Sequence, residues 1–316
     1  MNRDLGLGII PMRIPGIPSS RSASGEPLGP RVCVDVLETA SPALSGAGRM
    51  ATLSRRPYSA VMLRILTLNI QGDEAAFGAW PERRRRILAL FEAMRPHVVA
   101  LQAVRVAKAR DQVAELTAQS PYRHSVSATA GETELGVAIL STIPLRASWS
   151  LALPRGDDGE DTAQRRALVA QFAWQGEVWR FANAHCSWVP AQNVHQVRAL
   201  MGALARYSGP QCLAGDFNAA PASPGIRRLL ANGWMDSFAL KGRGASATFP
   251  ANAPRERIDF LFLQGVVPGR VRDVRIACGF EPLSDHNGVL LTLEPAKRNA
   301  KPIAATTGDR RSWRNP

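Results

Sequence analysis

Five times between residues 62 and 293, an apolar run of strand length closes on a polar residue able to bind a cation, move a proton or hold an anion. The segments are Leu68-Asn69-Ile70, Asn183-Ala184-His185, Gly215-Asp216-Phe217-Asn218-Ala219, Arg257-Ile258-Asp259-Phe260 and Ser284-Asp285-His286-Asn287. Apolar runs of this kind suit strands buried on both faces, so the polar residues gather where strands end. Each segment taken singly has a bland explanation. An Asn after a strand is ordinarily a turn residue, a lone His at a strand end is ordinarily a hydrogen-bonded structural group, and Gly-Asp-x-Asn is an ordinary turn. Their number, order and spacing argue for one site.

The pattern between these segments fixes the fold class. Periodicity predicts strands at 63–70, 97–101, 122–127, 135–141, 146–151, 167–174, 177–186, 211–214, 258–263, 271–277 and 288–293. Gln175-Gly176 marks a hairpin. Pro81 opens a helix with Ile87, Leu88, Phe91 and Met94 on one face and Arg83 to Arg86 in its first turns. Further helices are expected at 107–118, 191–206 and 224–230. Early β-α-β units thus give way to hairpins, which two facing sheets flanked by helices accommodate best. Residues 1–61, rich in Pro, Gly, Ser and Arg, cannot bury enough apolar surface to order themselves. They are expected to form a disordered extension, with translation starting at Met62 or Met50 as a related expectation. Residues 62–295 form the expected domain, and 296–316 a disordered basic tail.

Charge says less than its size suggests. The net charge is +13, with +3 in residues 1–61 and +5 in residues 296–316, so the domain is only mildly basic. Basic tails suit a polyanionic partner, but only four of the 39 basic residues are Lys, a bias equally consistent with an Arg-favouring composition. The four cysteines, Cys33, Cys186, Cys212 and Cys278, form no CxxC pair. That excludes a disulfide framework or zinc site and fits a reducing, cytoplasmic setting, with buried thiols expected at the last three. No apolar stretch has the length of a membrane span and no signal peptide is evident. A monomer is the default expectation.

With these segments in place, the chain resembles the endonuclease/exonuclease/phosphatase superfamily, the fold of pancreatic-type deoxyribonucleases, abasic-site endonucleases, neutral sphingomyelinases and inositol polyphosphate phosphatases. Gly-Asp-Phe-Asn-Ala at 215–219 and Ser-Asp-His at 284–286 carry the resemblance most specifically. Leu101-Gln102, Gly136-Val137-Ala138-Ile139-Leu140-Ser141 and Arg257-Ile258-Asp259-Phe260 support it in the right order. The resemblance implies an α/β (α+β) fold, a four-layer α/β/β/α sandwich of two mainly antiparallel sheets flanked by helices. It also implies a metal-dependent phosphoester hydrolase whose substrate is nucleic acid or, behind it, a lipid or inositol phosphate. By the same resemblance Asn69 and Asp285 would hold Mg²⁺ or Mn²⁺, hard cations suited to oxygen ligands. Asp216 would orient or deprotonate the attacking water, and Asn218 would fix water or phosphate. His286, its ring held by Asp259, and His185 would contact the phosphate. Arg165 as a phosphate-binding residue and Glu134 as a support for His185 complete the set; both also read as plain surface charges.

One position departs from the pattern. Relatives follow Leu-Gln with a metal-ligating Glu, whereas this chain has Ala103, whose methyl group cannot coordinate a cation. His97, where relatives usually carry Asp, is a second departure. Three readings of Ala103 stay open: an impaired or reshaped enzyme with Asp73 or Glu74 assisting Asn69 and Asp285, an engineered substitution, or an inactive phosphate- or nucleic-acid-binding module. The retention of Asp216, Asn218, Asp259 and His286 favours catalysis.

Overall fold

The computed structural model describes residues 61–72, 75–130, 135–156, 161–279 and 281–296. Apart from Val61 and Ala296, the expected disordered segments lie outside these residues, as do Cys33, Asp73, Glu74 and Glu134.

Among the described residues, thirteen strands and five α-helices run in chain order: β1 Leu63–Asn69, α1 Trp80–Met94, β2 Val98–Ala107, β3 Arg110–Asp111, α2 Gln112–Ala118, β4 His124–Ala128, β5 Leu135–Ser141, β6 Leu145–Ala152, β7 Arg166–Trp174, β8 Glu177–His185, α3 Pro190–Ala205, β9 Gln211–Asp216, α4 Pro224–Ala231, β10 Met235–Asp236, α5 Ser237–Lys241, β11 Asp259–Gln264, β12 Val271–Ala277 and β13 Gly288–Leu293. One sheet has the order β12-β13-β1-β2-β5-β4, with β3 beside β2, and the other β10-β11-β9-β8-β7-β6. Each is antiparallel except at one central pair, β1 with β2 and β8 with β9. Those parallel pairs need long crossovers, supplied by α1 and α3.

Period-two alternation divides each central strand between two cores. Ile65, Val98 and Ala100 point between the sheets, where they join Phe172, Phe181 and Trp179 of the second sheet. Leu66, Leu68, Val99 and Leu101 point outward to Ile87, Leu90 and Phe91 of α1. On the far side Val169, Ala182 and Leu213 meet Val197 and Leu200 of α3 and Ile226 and Leu229 of α4. Three apolar cores therefore separate four layers, which is the expected α/β/β/α sandwich. Each buried large side chain stabilises it by about 1.5–3 kcal/mol.

The sheets are also joined by polar contacts. Asn183 of β8 donates from Nδ2 to the carbonyls of Leu101 and Ala138 in the opposite sheet, both at 2.8 Å, and accepts from Gln102 Nε2 at 2.7 Å. All these groups are buried.

Several expectations need correction. The helix expected at 107–118 begins only at Gln112, because β2 continues past Gln102 through a bulge to Ala107 and turns back into β3. Asp111 then caps α2, its carboxylate accepting from the amides of Val113 and Ala114. The short β10 and α5 are too brief for periodicity to reveal. Arg83, in the first turn of α1 as expected, is fully buried. Cys278 is half-buried instead of buried. His97 has a structural role, its Nδ1 accepting from the Arg64 amide at 3.1 Å.

Candidate active site

The parallel pairs set up the site, because their C-terminal ends lie on one rim. Asn69 pairs with Gln102 where the β1–β2 ladder ends, and His185 pairs with Asp216 at the end of β8 and β9. Asp259, first residue of β11, lies opposite Asp216. Asp285 and His286 come just before β13, whose start lies beside the end of β1. The close approach of β8 and β9 depends on Gly215. Its φ is +147°, and a Cβ there would lie 1.9 Å from the Ala184 carbonyl oxygen.

Asp216 is the hub. Its Oδ2 accepts from Asn69 Nδ2 at 3.0 Å and lies 3.4 Å from His185 Nε2 and 3.7 Å from His286 Nε2. Its Oδ1 accepts the Asn218 amide at 2.8 Å. Asn218 turns on a positive φ of 46° and donates Nδ2 to the Cys186 carbonyl, leaving its amide oxygen as the end available to water. His286 Nδ1 lies 2.9 Å from Asp259 Oδ2, with both side chains buried. That contact places the proton on Nδ1 and aims Nε2 at Asp216 and, at 3.8 Å, at Asp285 Oδ1.

Electrostatics separate the two histidines. Burial alone would push the His286 pKa down, but Asp259, Asp216 and Asp285 outweigh it and raise it to about 10. His286 is therefore an imidazolium at neutral pH. His185 goes the other way: burial, reinforced by Arg165 and only partly opposed by Asp216, lowers its pKa to about 3. It is a neutral imidazole. Burial also holds the Asp285 carboxyl above its usual range, with His286 opposing.

Of the remaining two residues of the expected set, the structure describes one. Arg165 donates Nε to Asp161 Oδ2 at 2.8 Å and is felt electrostatically by His185, but makes no contact with the Asp216 hub among the described residues. Glu134 lies outside the described residues. Beside His185 opens a cavity of about 370 Å³, lined by Arg105, Arg165, Arg166, Leu135 and Val137 among others.

Sequence reasoning missed the groups that hold this set in place. Ser284 Oγ donates to the Asn69 carbonyl at 2.6 Å and accepts from the His286 amide at 2.9 Å. Thr248 Oγ1 accepts from the Ile258 and Asp259 amides, and the Phe249 ring packs on His286 with centroids 5.0 Å apart. The Arg83 guanidinium donates to the carbonyls of Ile70, Gly72 and Leu283, joining the loops after Asn69 and before Asp285. Only Ser284 carried a signal, as part of Ser-Asp-His; a long Arg side chain in a helix turn gives none.

The donor set fits a hard divalent cation. Asp285 Oδ1 and Gln71 Oε1 are buried without a hydrogen-bond partner, and such atoms are rarely left so in native proteins. Asn69 Oδ1, which accepts the Gln71 amide at 2.9 Å, keeps a second lone pair. Asp216, Asp259 and His286 also offer ligand atoms within 4.8 Å of one another. Asp259 Oδ1 is also buried without a hydrogen bond, but Asp259 Oδ2 and His286 Nδ1 bind each other, whereas Asp285 Oδ1 and Gln71 Oε1 stand on two side chains already joined to one another, so the Asn69–Asp285 side is the better seat.

Ala103 sits on the β2 bulge, buried, at a φ of 51°. Its carbonyl accepts from the Gly72 amide at 2.6 Å.

Comparison with known proteins bears on the fold and the family. Among solved structures, an endonuclease/exonuclease/phosphatase from Bacteroides vulgatus superposes with a TM-score of 0.64 at 21% identity, covering 74% of this chain and 99% of that one. A Bacteroides thetaiotaomicron mannosyl-6-phosphatase gives 0.60 at 17% identity, covering 72% and 98%. D. rerio TDP2 complexed with a single-strand DNA product gives 0.59, covering 74% of this chain and 99% of that one. At these identities the likeness speaks for the fold alone. No curated protein matches the sequence. Residues 66–286 match the profile of the Endonuclease/Exonuclease/phosphatase family, and the chain belongs to that family.

Proposed function

We propose that this chain hydrolyses phosphoesters with the help of Mg²⁺ or Mn²⁺, and that nucleic acid is its substrate class. The observation that carries the reading is the convergence of Asn69, His185, Asp216, Asp259, Asp285 and His286 on one rim. In such a site a bound divalent cation neutralises non-bridging phosphate oxygens. Asn69 and Asp285 would hold it, and Asp285 brings the charge.

The rest falls to the chain's own side chains. Asp216, held by Asn69 Nδ2 and the Asn218 amide, accepts the proton of the attacking water, which the Asn218 amide oxygen orients; as the water oxygen bonds to phosphorus the ester P–O bond opposite breaks, and the departing alkoxide takes a proton from solvent. His286, kept protonated by its carboxylate neighbours, donates from Nε2 to the phosphoryl oxygen as negative charge grows there. His185 is neutral and supplies a single N–H to a second oxygen. Arg165 draws the phosphate toward this pair.

Three features favour nucleic acid. The excess of basic residues suits a polyanion. The arginine-lined cavity beside His185 could take a further phosphate along a strand. Trp188, exposed on the loop after His185, offers a stacking face; Trp234, by contrast, is packed in the core against α4. The mannosyl-6-phosphatase neighbour keeps a phosphomonoester as an arm of the test. A phosphate-binding module without turnover is the second reading, favoured by the side chain of Ala103, which offers no ligand atom.

The test is hydrolysis of plasmid DNA, single-stranded DNA, bis(p-nitrophenyl) phosphate and a sugar phosphate, with Mg²⁺ or Mn²⁺, by the unaltered chain, Ala103→Glu and Asp216→Ala. Metal-dependent turnover by the unaltered chain that Asp216→Ala loses supports the proposal. If the unaltered chain is silent and Ala103→Glu is active, the chain is a disabled enzyme. If Ala103→Glu is silent on all four substrates, the hydrolytic reading is wrong.

A further inference from the structure

We infer that Gln71 is a cation ligand of this site, its side-chain oxygen entering where the bulge residue Ala103 offers none. The inference rests on the metal-dependent reading above and adds a donor to it. Gln71 Nε2 donates to Asp285 Oδ2 at 3.0 Å. At the opposite corner of the same amide, Oε1 is buried and has no hydrogen-bond partner, and Asp285 Oδ1 is likewise without a hydrogen bond, with His286 Nε2 3.8 Å away. Turning the amide over would set its oxygen against the Asp285 carboxylate, so the recorded orientation is the one electrostatics selects. A hydrogen-bonded pair in which each member keeps a buried oxygen that accepts no hydrogen bond is an incomplete polar network, and a cation completes it.

The loop is built to hold Gln71 there. Its backbone amide donates to Asn69 Oδ1, so one turn presents both side chains. The next residue, Gly72, donates its amide to the Ala103 carbonyl and accepts at its own carbonyl from Arg83 at 3.1 Å and Gln112 at 3.0 Å. Gln71 itself has a φ of 51°, which fixes the direction of its side chain away from an ordinary strand path. The resulting ligand set has Asp285 as its charged member, with Asn69 and Gln71 as neutral amide oxygens. Ligand charge tunes affinity at such oxygen sites, so the site is a weak one that an added carboxylate strengthens.

The alternative role for Gln71 is to hold Asp285 in place without touching the ion. The two roles differ in the sign of one substitution. If Gln71 is a ligand, Gln71→Glu puts a carboxylate on the cation and tightens binding. If it only holds Asp285, the same change places like charges together and weakens binding. The experiment is calorimetric titration of Mn²⁺ into the full chain, with thermal unfolding in chelator as a second readout. Gln71→Met is expected to weaken Mn²⁺ binding about 10-fold or more, the scale on which lost metal-site contacts act. Gln71→Glu is expected to tighten it about 10-fold, while melting below the unaltered chain in chelator and recovering with Mn²⁺. Mn²⁺ binding that is weakened by Gln71→Glu, or unchanged by Gln71→Met, overturns the inference. Asp285→Asn separates the two levels. If it abolishes binding while Gln71→Met does not, only the role of Gln71 falls. If Asp285→Asn binds as the unaltered chain does, or the unaltered chain shows no saturable binding, the metal-dependent reading falls with it.

Discussion

Replacing Asp259 by Asn removes the charge from the most enclosed ionic contact of the site. The Asp259 side chain is 0% exposed and that of His286 6%, at 2.9 Å. Asn keeps the shape and an acceptor oxygen, so the change is electrostatic. The unperturbed His value is 6.5 and the folded value about 10, a difference worth about 5 kcal/mol at about 1.4 kcal/mol per unit. The folded pKa lies above the unfolded one. His286 therefore contributes all of this below the unfolded pKa of 6.5 and loses it as pH rises through about 10. By pH 8 about 2 kcal/mol is gone. Asp259 heads the groups that raise the value, so Asp259→Asn should cost about 3–5 kcal/mol near pH 6, the scale for breaking a buried pair. Above the folded pKa the imidazole is neutral with either partner, and the deficit should shrink to that of a neutral hydrogen bond, about 1 kcal/mol. Urea unfolding of both proteins at pH 6, 8 and 10 measures this, and NMR titration of the His286 ring gives the pKa directly. A deficit equal at pH 6 and pH 10, or a His286 resonance titrating near its unperturbed value in the unaltered chain, would refute the reasoning.

Two further substitutions test the frame that positions the site. Gly215→Ala places a Cβ 1.9 Å from the Ala184 carbonyl oxygen at a φ of +147°; it should cost about 3 kcal/mol or more, seen as a lower urea midpoint. Asn183→Leu strips the Leu101 and Ala138 carbonyls of their shared donor. At about 1–3 kcal/mol per buried unsatisfied group, it should lower the melting temperature by about 8 °C, at about 2–4 °C per kcal/mol for a domain of this size; no change would mean that water replaces Asn183 between the sheets.

How much the sequence revealed depended on the scale at which each feature is encoded. Strands buried on both faces, such as β1 and β9, leave long apolar runs, and their ends were legible to within two residues. The polar residues closing those runs were legible as a set because several distant segments pointed to one chemistry. The extension of β2 past Gln102 was not, because a bulge breaks alternation at the position where a strand would be read as ended. Arg83 and Thr248 act through backbone carbonyls and amides, which are present at every residue and leave no pattern. The opposed behaviour of His185 and His286 was equally hidden. Both are imidazoles at strand ends, and only their neighbours differ, three carboxylates for His286 against Arg165 and a single carboxylate for His185. Gln71 was passed over because an amide two residues after Asn69 reads as a turn residue, and its meaning lies in the one oxygen that no neighbour satisfies.

The central claim is that the rim around Asp216 is a phosphoester-hydrolysing centre. Its most direct measurement is the release of p-nitrophenol from bis(p-nitrophenyl) phosphate with Mn²⁺, followed for the unaltered chain, for the same protein after EDTA, and for Asp216→Asn. Turnover that EDTA abolishes, Mn²⁺ restores and Asp216→Asn lowers by about 100-fold or more, within the range for general-base loss, is the expected result. Turnover by Asp216→Asn equal to that of the unaltered chain, or turnover indifferent to EDTA, would contradict it.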